Sequence, residues 1–268
     1  MRIFILSVLL LSNLFAYNDA DFDGVDDNVD ICPNTPILDI VNIDGCSFEV
    51  LGSDHHFDIV VGASYSQLDY VTNEQADTYT TSLQADYFYK NLSLQASSSY
   101  YRSSSETTNN SGLNDSILAA YYLFRLSDDF NLRLGAGVIL PTYDTDFNNN
   151  NTDYLSAINA NYSIDKVSLF AGYNYTIVND DDVADVVSYQ NRSAYSIGVG
   201  YHLSPKHYLS TSYYQAQSVY KNVDDIKNVS IYNFYSIDTH WFATLTYAYG
   251  LSDSTSNHFA SVRLGYYF

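Results

Sequence analysis

Tryptophan and methionine occur once each in this chain, cysteine twice and proline four times. Basic side chains are scarce too: 11 Lys and Arg stand against 31 Asp and Glu, a formal net charge of −20. Nucleic-acid binding needs basic patches to neutralise phosphates, so this balance excludes it and suits metal cations instead. Beyond residue 16 there is no run of eighteen apolar residues, which excludes a membrane-crossing helix there. Walker, Rossmann and zinc-finger patterns are also missing. What is plentiful is tyrosine, 28 in 268 residues, together with Ser and Asn. That composition favours strands over helices. The length fits one all-β unit of about 200–250 residues with a short extra segment.

Residues 1–16 read as a secretory leader: Arg2 is the positive start, Ile3 to Leu11 an apolar run, and Ala16 the residue before cleavage. Leu14 leaves the exact cut open. The apolar run is too short to span a hydrocarbon core of about 30 Å. Removing Arg2 with the leader takes the charge from −20 to −21. In an exported chain the pair Cys32 and Cys46 reads as a disulfide. Closing a loop of about 15 residues contributes on the order of 3 kcal/mol in the chain-entropy account.

Residues 19–30 read D-A-D-F-D-G-V-D-D-N-V-D. Calcium takes six to eight oxygen ligands, and alternating carboxylates on a tightly turning loop supply them. Asp19, Asp21 and Asp23 hold positions 1, 3 and 5 of an EF-hand loop. Gly24 sits at the sharp turn, Val25 offers its carbonyl, and Asp27 and Asp30 fall at positions 9 and 12. Flanking helices are excluded by the leader on one side and by Pro33 and Pro36 on the other. With Cys32-Pro33-Asn34-Thr35-Pro36 and Asp44-Gly45-Cys46, the segment resembles a thrombospondin type 3 repeat. Such repeats bind calcium and serve as linkers in OmpA-like envelope proteins. The peptidoglycan-binding domain that usually follows is replaced here by strands, so that activity is not carried over.

From residue 57 the pattern alternates with period two. Tyr195, Ile197, Val199, Tyr201 and Leu203 oppose Ala194, Ser196, Gly198, Gly200 and His202. Leu132, Leu134, Ala136, Val138 and Leu140 oppose Arg133, Gly135 and Gly137, and 167–175 repeats the pattern. Further strands are expected at 57–66, 81–90, 92–101, 116–126, 154–164 and 241–251, with a weaker dyad at 208–220 and 229–237. An apolar face opposite a polar or small one fits a soluble sandwich or a membrane barrel turned inside out. Strand length favours the barrel, because ten to thirteen residues match a tilted span. So does the alternation of short turns with long polar loops at 72–77, 103–115, 143–152, 178–191, 221–228 and 252–257. The final V-R-L-G-Y-Y-F, ending at Phe268, resembles the terminal aromatic signal read by the barrel-assembly machinery.

The expectation is therefore an all-β chain: a closed antiparallel transmembrane barrel of twelve strands over 55–268, after a leader (1–16) and a calcium-binding segment (17–50). Both strand termini would face the periplasm of an outer membrane rich in lipopolysaccharide, placing the calcium segment there too. Tyr65, Tyr70, Tyr87, Tyr89, Tyr173, Tyr175, Tyr247, Tyr249 and Tyr266 are the expected aromatic girdles. The lumen would be lined mainly by neutral polar residues, with Asp58, Asp86, Lys90, Arg125, Arg133, His202 and Arg263 as its charges. A porin-like channel or small-solute uptake barrel follows as the leading function, with a structural or adhesive barrel as the alternative. Leu140-Pro141-Thr142 resembles a segment in barrels associated with aromatic-compound degradation and uptake; equally, Pro141 simply ends a strand. A phospholipase-like enzyme is disfavoured, because His202 and Ser204 sit beside a short turn and find no third partner.

Overall fold

The computed structural model describes residues 31–32, 55–68, 75–145 and 147–268. The expected leader, the calcium ligands Asp19, Asp21, Asp23, Val25, Asp27 and Asp30, and Cys46 lie outside the described residues, as does Tyr70. The chain divides into two units, Met1–Gly52 and Ser53–Phe268.

Thirteen strands occur among the described residues of the second unit: β1 (His55–Leu68), β2 (Ala76–Tyr89), β3 (Leu92–Ser104), β4 (Asn109–Leu113), β5 (Ser116–Arg125), β6 (Phe130–Leu140), β7 (Asp153–Ile164), β8 (Val167–Ile177), β9 (Arg192–Ser204), β10 (His207–Ala216), β11 (Ile226–Ser236), β12 (Trp241–Gly250) and β13 (His258–Tyr267). Every pairing is antiparallel, and β1 closes the ring on β13 from Asp58↔Tyr267 to Gln67↔His258. Closure satisfies the strand edges, which an open sheet would leave as unpaired N–H and C=O groups.

The ring has twelve staves, because β4 and β5 are one strand interrupted by a bulge. Ser97 pairs with Ile117 on β5, whereas Tyr100 pairs with Leu113 on β4. Two residues, Ser98 and Ser99, thus face three, Asn114 to Ser116. Asn114 N donates to Ser99 O at 2.9 Å and Ser116 Oγ to Ser98 Oγ at 2.9 Å, stitching the irregularity. The long loop expected at 103–115 therefore shrinks to four residues, 105–108. The Asn109-Asn110-Ser111-Gly112 run has no apolar alternation by which to announce a strand.

The burial pattern inverts that of a soluble sheet. Ile197, Leu83, Leu245, Ile231, Val262 and Ile158 point outward and stay about half exposed. The buried apolar side chains, such as Val60, Ala119, Ala157 and Phe242, lie on the inward face of their strands. An apolar exterior of this kind is stable only against hydrocarbon. Outward aromatics gather at both ends of the strands. Phe57, Tyr87, Tyr122, Tyr162, Tyr235 and Tyr266 ring the end with the short turns; Tyr65, Tyr79, Tyr154, Tyr173, Tyr195 and Tyr247 ring the end with the long loops. Ring pairs such as Phe57–Tyr87 at 4.9 Å and Tyr65–Tyr79 at 5.3 Å hold neighbouring strands within each belt.

Candidate functional site

Register partners share a face, so the pairings alone determine which residues line the interior. Starting from Asp58↔Asp86, the inward row runs through Gln95, Ala119, Gly137, Leu155, Thr176 and Arg192, and Tyr121, Gly135, Ala157, Asn174 and Ala194 form the next inward row. Large inward rings lie over glycines of the adjacent strand. Tyr121 covers Gly135, Phe170 covers Gly198 and Phe242 covers Gly265, so a Cβ at each glycine would collide with the ring. Absent side chains on one strand thus make room for large ones on the next.

At the turn end a polar chain crosses this interior. Arg263 donates to Gln84 Oε1 at 2.6 Å, and Gln84 Nε2 donates to Asp86 Oδ2 at 2.6 Å. Gln95 Nε2 reaches Asp86 Oδ1 at 3.0 Å, and the Tyr121 hydroxyl donates to Gln95 Oε1 at 3.4 Å. The Arg133 guanidinium stacks 4.0 Å over the Tyr121 ring and donates to Ser93 Oγ at 2.9 Å. Asp86 is therefore well hydrogen-bonded. Asp58, directly opposite, is not: its shielded Oδ1 finds no hydrogen-bond partner, with His56 Nε2 at 4.0 Å.

Two cavities open inside the barrel. One, of about 340 Å³, lies in the half nearer the short turns, between Arg133, Asn159, Asn161, Phe170, Gly172 and Ser196. The other, of about 500 Å³, lies nearer the long loops, among Ser196, Ser212, Tyr214, Asn228, Thr246 and Phe259. Ser196 borders both. No ionisable carboxyl, ammonium or guanidinium group lines the second cavity, and Arg133 is the single one in the first.

The charges expected in the lumen separate on inspection. Asp58, Asp86, Arg133 and Arg263 occupy inward positions well inside the strands. His202 is also inward, its ring 4.8 Å from Tyr208, close to the turn end of β9. Arg125 ends β5 and sits exposed at the rim. Lys90 is not a lining residue: it forms the β2–β3 turn at φ 52, with its ammonium 5.4 Å over the outward ring of Tyr89. The dyad carried it into a strand one residue too far. Glutamine and tyrosine are expected in the lining as residue types, but the inward rings of Phe170 and Phe242 are not, and sequence reasoning does not single out Gln84, Gln95 and Tyr121. Their partners across the strands identify them, and that register is not visible in one strand's letters.

At the loop end, three loops knit together. Asn149, nearly buried, donates to Asp181 O at 3.0 Å and to Tyr189 OH at 3.1 Å. Asp115, at the bulge, accepts from Tyr143 N at 2.9 Å and Asn150 Nδ2 at 2.8 Å. Asp182 accepts from Tyr189 N at 2.7 Å and pairs with Lys221 at 3.2 Å. The Tyr189 N–H, aided by Lys221, holds Asp182 below the usual carboxylate range, whereas burial pushes Asp180 up despite the N–H of Asn151. On the opposite end, the N–H groups of His240 and Trp241 hold Asp238 down.

Comparison with known proteins adds three findings. The family model described as "Putative MetA-pathway of phenol degradation" matches residues 45–268. Among solved structures, the NanC porin has a TM-score of 0.51 at 17% identity, covering 79% of this chain and 98% of its own. The KdgM porin has a TM-score of 0.47 at 11% identity, covering 78% and 99%, and the toluene transporter TbuX of Ralstonia pickettii 0.44 at 9%, covering 81% and 89%. No curated protein matches the chain. The likeness to the NanC porin is one of fold.

Proposed function

Because the chain belongs to the family described as "Putative MetA-pathway of phenol degradation", with a match that spans the whole barrel, we propose that it is an outer-membrane barrel passing small solutes, including compounds of the phenol type. The observation that carries this reading is the pair of internal cavities, both bordered by Ser196 and lined in large part by hydroxyls and amides, with Arg133 the one charged side chain on their borders. A barrel serving only as an anchor gains nothing from internal space, and filling it with side chains would add packing stability. Inward rings such as Phe170, Tyr214 and Phe259 offer apolar faces beside those polar groups, a combination suited to a ring bearing a hydroxyl.

In this reading the turn end faces the periplasm and the knitted loops face outward, the arrangement of bacterial barrels. Phe268 then presents the terminal aromatic to the assembly machinery; its N–H donates to Phe57 O at 2.9 Å and its ring lies 4.7 Å from Tyr266. Residues 17–50 form a periplasmic calcium module, with Asp19, Asp21, Asp23, the Val25 carbonyl, Asp27 and Asp30 as ligands and Cys32–Cys46 closing the loop. The measurement for the channel is single-channel conductance of the refolded full chain in planar bilayers. Discrete, reproducible steps support it, and silence from a folded, heat-modifiable barrel rejects it. For the module, calorimetric titration with calcium should show one binding event that Asp21→Asn with Asp23→Asn abolishes; unchanged binding removes the assignment.

A second reading rests on the loop end itself. Asp180, Asp181, Asp182 and Asp225 stand in an ordered, hydrogen-bonded surface rather than in free coils. Divalent cations bridging these carboxylates to lipopolysaccharide would make the barrel adhesive or structural. Loss of surface attachment on deleting 178–191, with conductance intact, favours that role.

A further inference from the structure

Loop 251–257, between β12 and β13, folds down onto the inward face of the barrel. Gly250 pairs with the inward Asn228, and a Cβ placed on it would lie 2.5 Å from the Ser256 carbonyl oxygen. The loop backbone therefore rests directly on that strand end, an approach that only glycine permits. Polar bonds pin it there. Lys227 N donates to Thr255 Oγ1 at 2.8 Å, Ser252 Oγ to Asp225 O at 2.7 Å, and Asn257 N to Gln67 O at 2.8 Å. Thr255 is buried as a result.

Ser254, Thr255 and Ser256 of this loop roof the cavity of about 500 Å³. Its walls differ. Leu68 and Phe259 present apolar surface, while Tyr214 and Thr246 present hydroxyls. No Asp or Glu borders it; Asp225 is turned the other way, its Oδ2 accepting from the outward Gln215 at 2.7 Å. The Tyr214 hydroxyl has a cation behind it. Arg192, the first residue of β9 and inward by its pairing with Thr176, donates from Nη2 to that hydroxyl at 2.7 Å and from Nε to Gln217 O at 3.2 Å. Among the described residues no carboxylate pairs with Arg192. With its oxygen accepting from a cation, Tyr214 has its own proton to give, and the guanidinium strengthens that donation.

We infer that this cavity binds monocyclic aromatic carboxylates, with Tyr214 donating to the carboxylate, Arg192 supplying the countercharge through it, and Phe259 taking the ring. The inference rests on the interior being the solute path, as read above, and adds the site and the charge class of its solute. A carboxylate leaving bulk water needs a donor and a countercharge, and this corner supplies both. A neutral ring compound can accept from Tyr214 but gains nothing from the charge of Arg192. An organic ammonium offers no acceptor and meets a cation that no carboxylate offsets. The volume admits a single-ring solute beneath the roof.

The test is equilibrium dialysis of the refolded full chain in neutral detergent against labelled benzoate, benzyl alcohol or benzylammonium, with protein-free micelles as background. Benzoate should bind about tenfold tighter than benzyl alcohol or better, and benzylammonium should not exceed background. Either of these binding as tightly as benzoate overturns the inference, as does no benzoate binding at all. Single-channel steps from the same preparation would then leave the channel standing without this site. Benzoate binding beside a silent bilayer keeps the site and removes the passage. Arg192→Gln should weaken benzoate about tenfold and leave benzyl alcohol unchanged. Unchanged benzoate affinity, or equal loss of both ligands, overturns the role of Arg192. Because that variant also alters a loop-end contact, Ser254→Cys offers a block added after folding. Unmodified it should match the wild type, and a bulky thiol reagent should cut its benzoate affinity about tenfold while leaving equally treated wild type unchanged. Benzoate binding at wild-type strength in the fully modified variant places the site elsewhere.

Discussion

The outward and inward faces of the same strands obey different rules. On β9, Tyr195, Ile197, Val199 and Tyr201 face out while Ala194, Ser196, Gly198 and Gly200 face in. The outward set shares a solvent preference and little else: large apolar bodies in the middle, tyrosines near the ends, each about half exposed. The inward set is governed by fit. Gly198 is small because Phe170 lies over it, and Gly200 because Tyr208 does. Lipid tolerates many shapes of one chemistry, whereas the interior tolerates several chemistries of one shape.

Substitutions can break this contrast. The largest effect belongs outside: Ile197→Arg, at the centre of β9, should cost about 2–4 kcal/mol in urea unfolding from lipid vesicles. Ser196→Arg, one residue away, should cost far less stability and obstruct permeation instead. Equal losses in the two variants would erase the distinction between the faces. Inside, shape should dominate: Gly265→Leu forces the Phe242 ring aside and should destabilise by about 1–3 kcal/mol. A barrel indifferent to it would mean the interior is loose.

Smaller effects concern charge. Asp58→Asn removes a like charge directly opposite Asp86 and should stabilise the barrel by about 0.2–1 kcal/mol; destabilisation would show that the carboxylate has a partner. At the loop end the effect is one of pH. Asp182 is held below its ordinary value, so what it contributes is present above about pH 4 and is lost as pH falls through its lowered pKa. Asp180, pushed up by burial, shifts stability the other way, favouring its protonated form on acidification. Protease nicking within 178–191 should therefore rise only in strong acid, and Asp182→Asn should bring that sensitivity to neutral pH. No change in nicking with either acid or substitution would mean the Tyr189 and Lys221 contacts do not hold the loop.

The alternation made most staves legible, because lipid imposes an outward pattern that one strand can display alone. It failed where tyrosine stands on both faces. Tyr208, Tyr214 and Tyr232 point in while Tyr213 and Tyr235 point out, which blurred β10 and β11 and misplaced their loop ends. β2 begins at Ala76, earlier than its letters suggest, because Asp77 and Thr81 put polar groups on the outward side. Of the residues that the alternation assigned to the lumen, Asp58, Asp86, Arg133, His202 and Arg263 stand at inward positions, whereas Lys90 lies in a turn, Arg125 at the rim, and the inward Arg192 was not read. The cavities were not, since they depend on which glycine lies under which ring across a pairing that no local pattern encodes. Asn159, Gly172 and Ser196 looked like ordinary small and polar residues until the register aligned them.

The seam between β1 and β13 has a consequence for how the molecule comes into being. Arg263 reaches back to Gln84, 179 residues earlier in the chain, and Asp58 waits for Tyr267. Contacts of such sequence separation form late and slowly. Until the last strand arrives, the growing sheet carries two bare borders, each able to recruit a stranger. The ring must therefore be finished at its destination, in one closing event, and any delay before that event is time in which aggregation competes with closure.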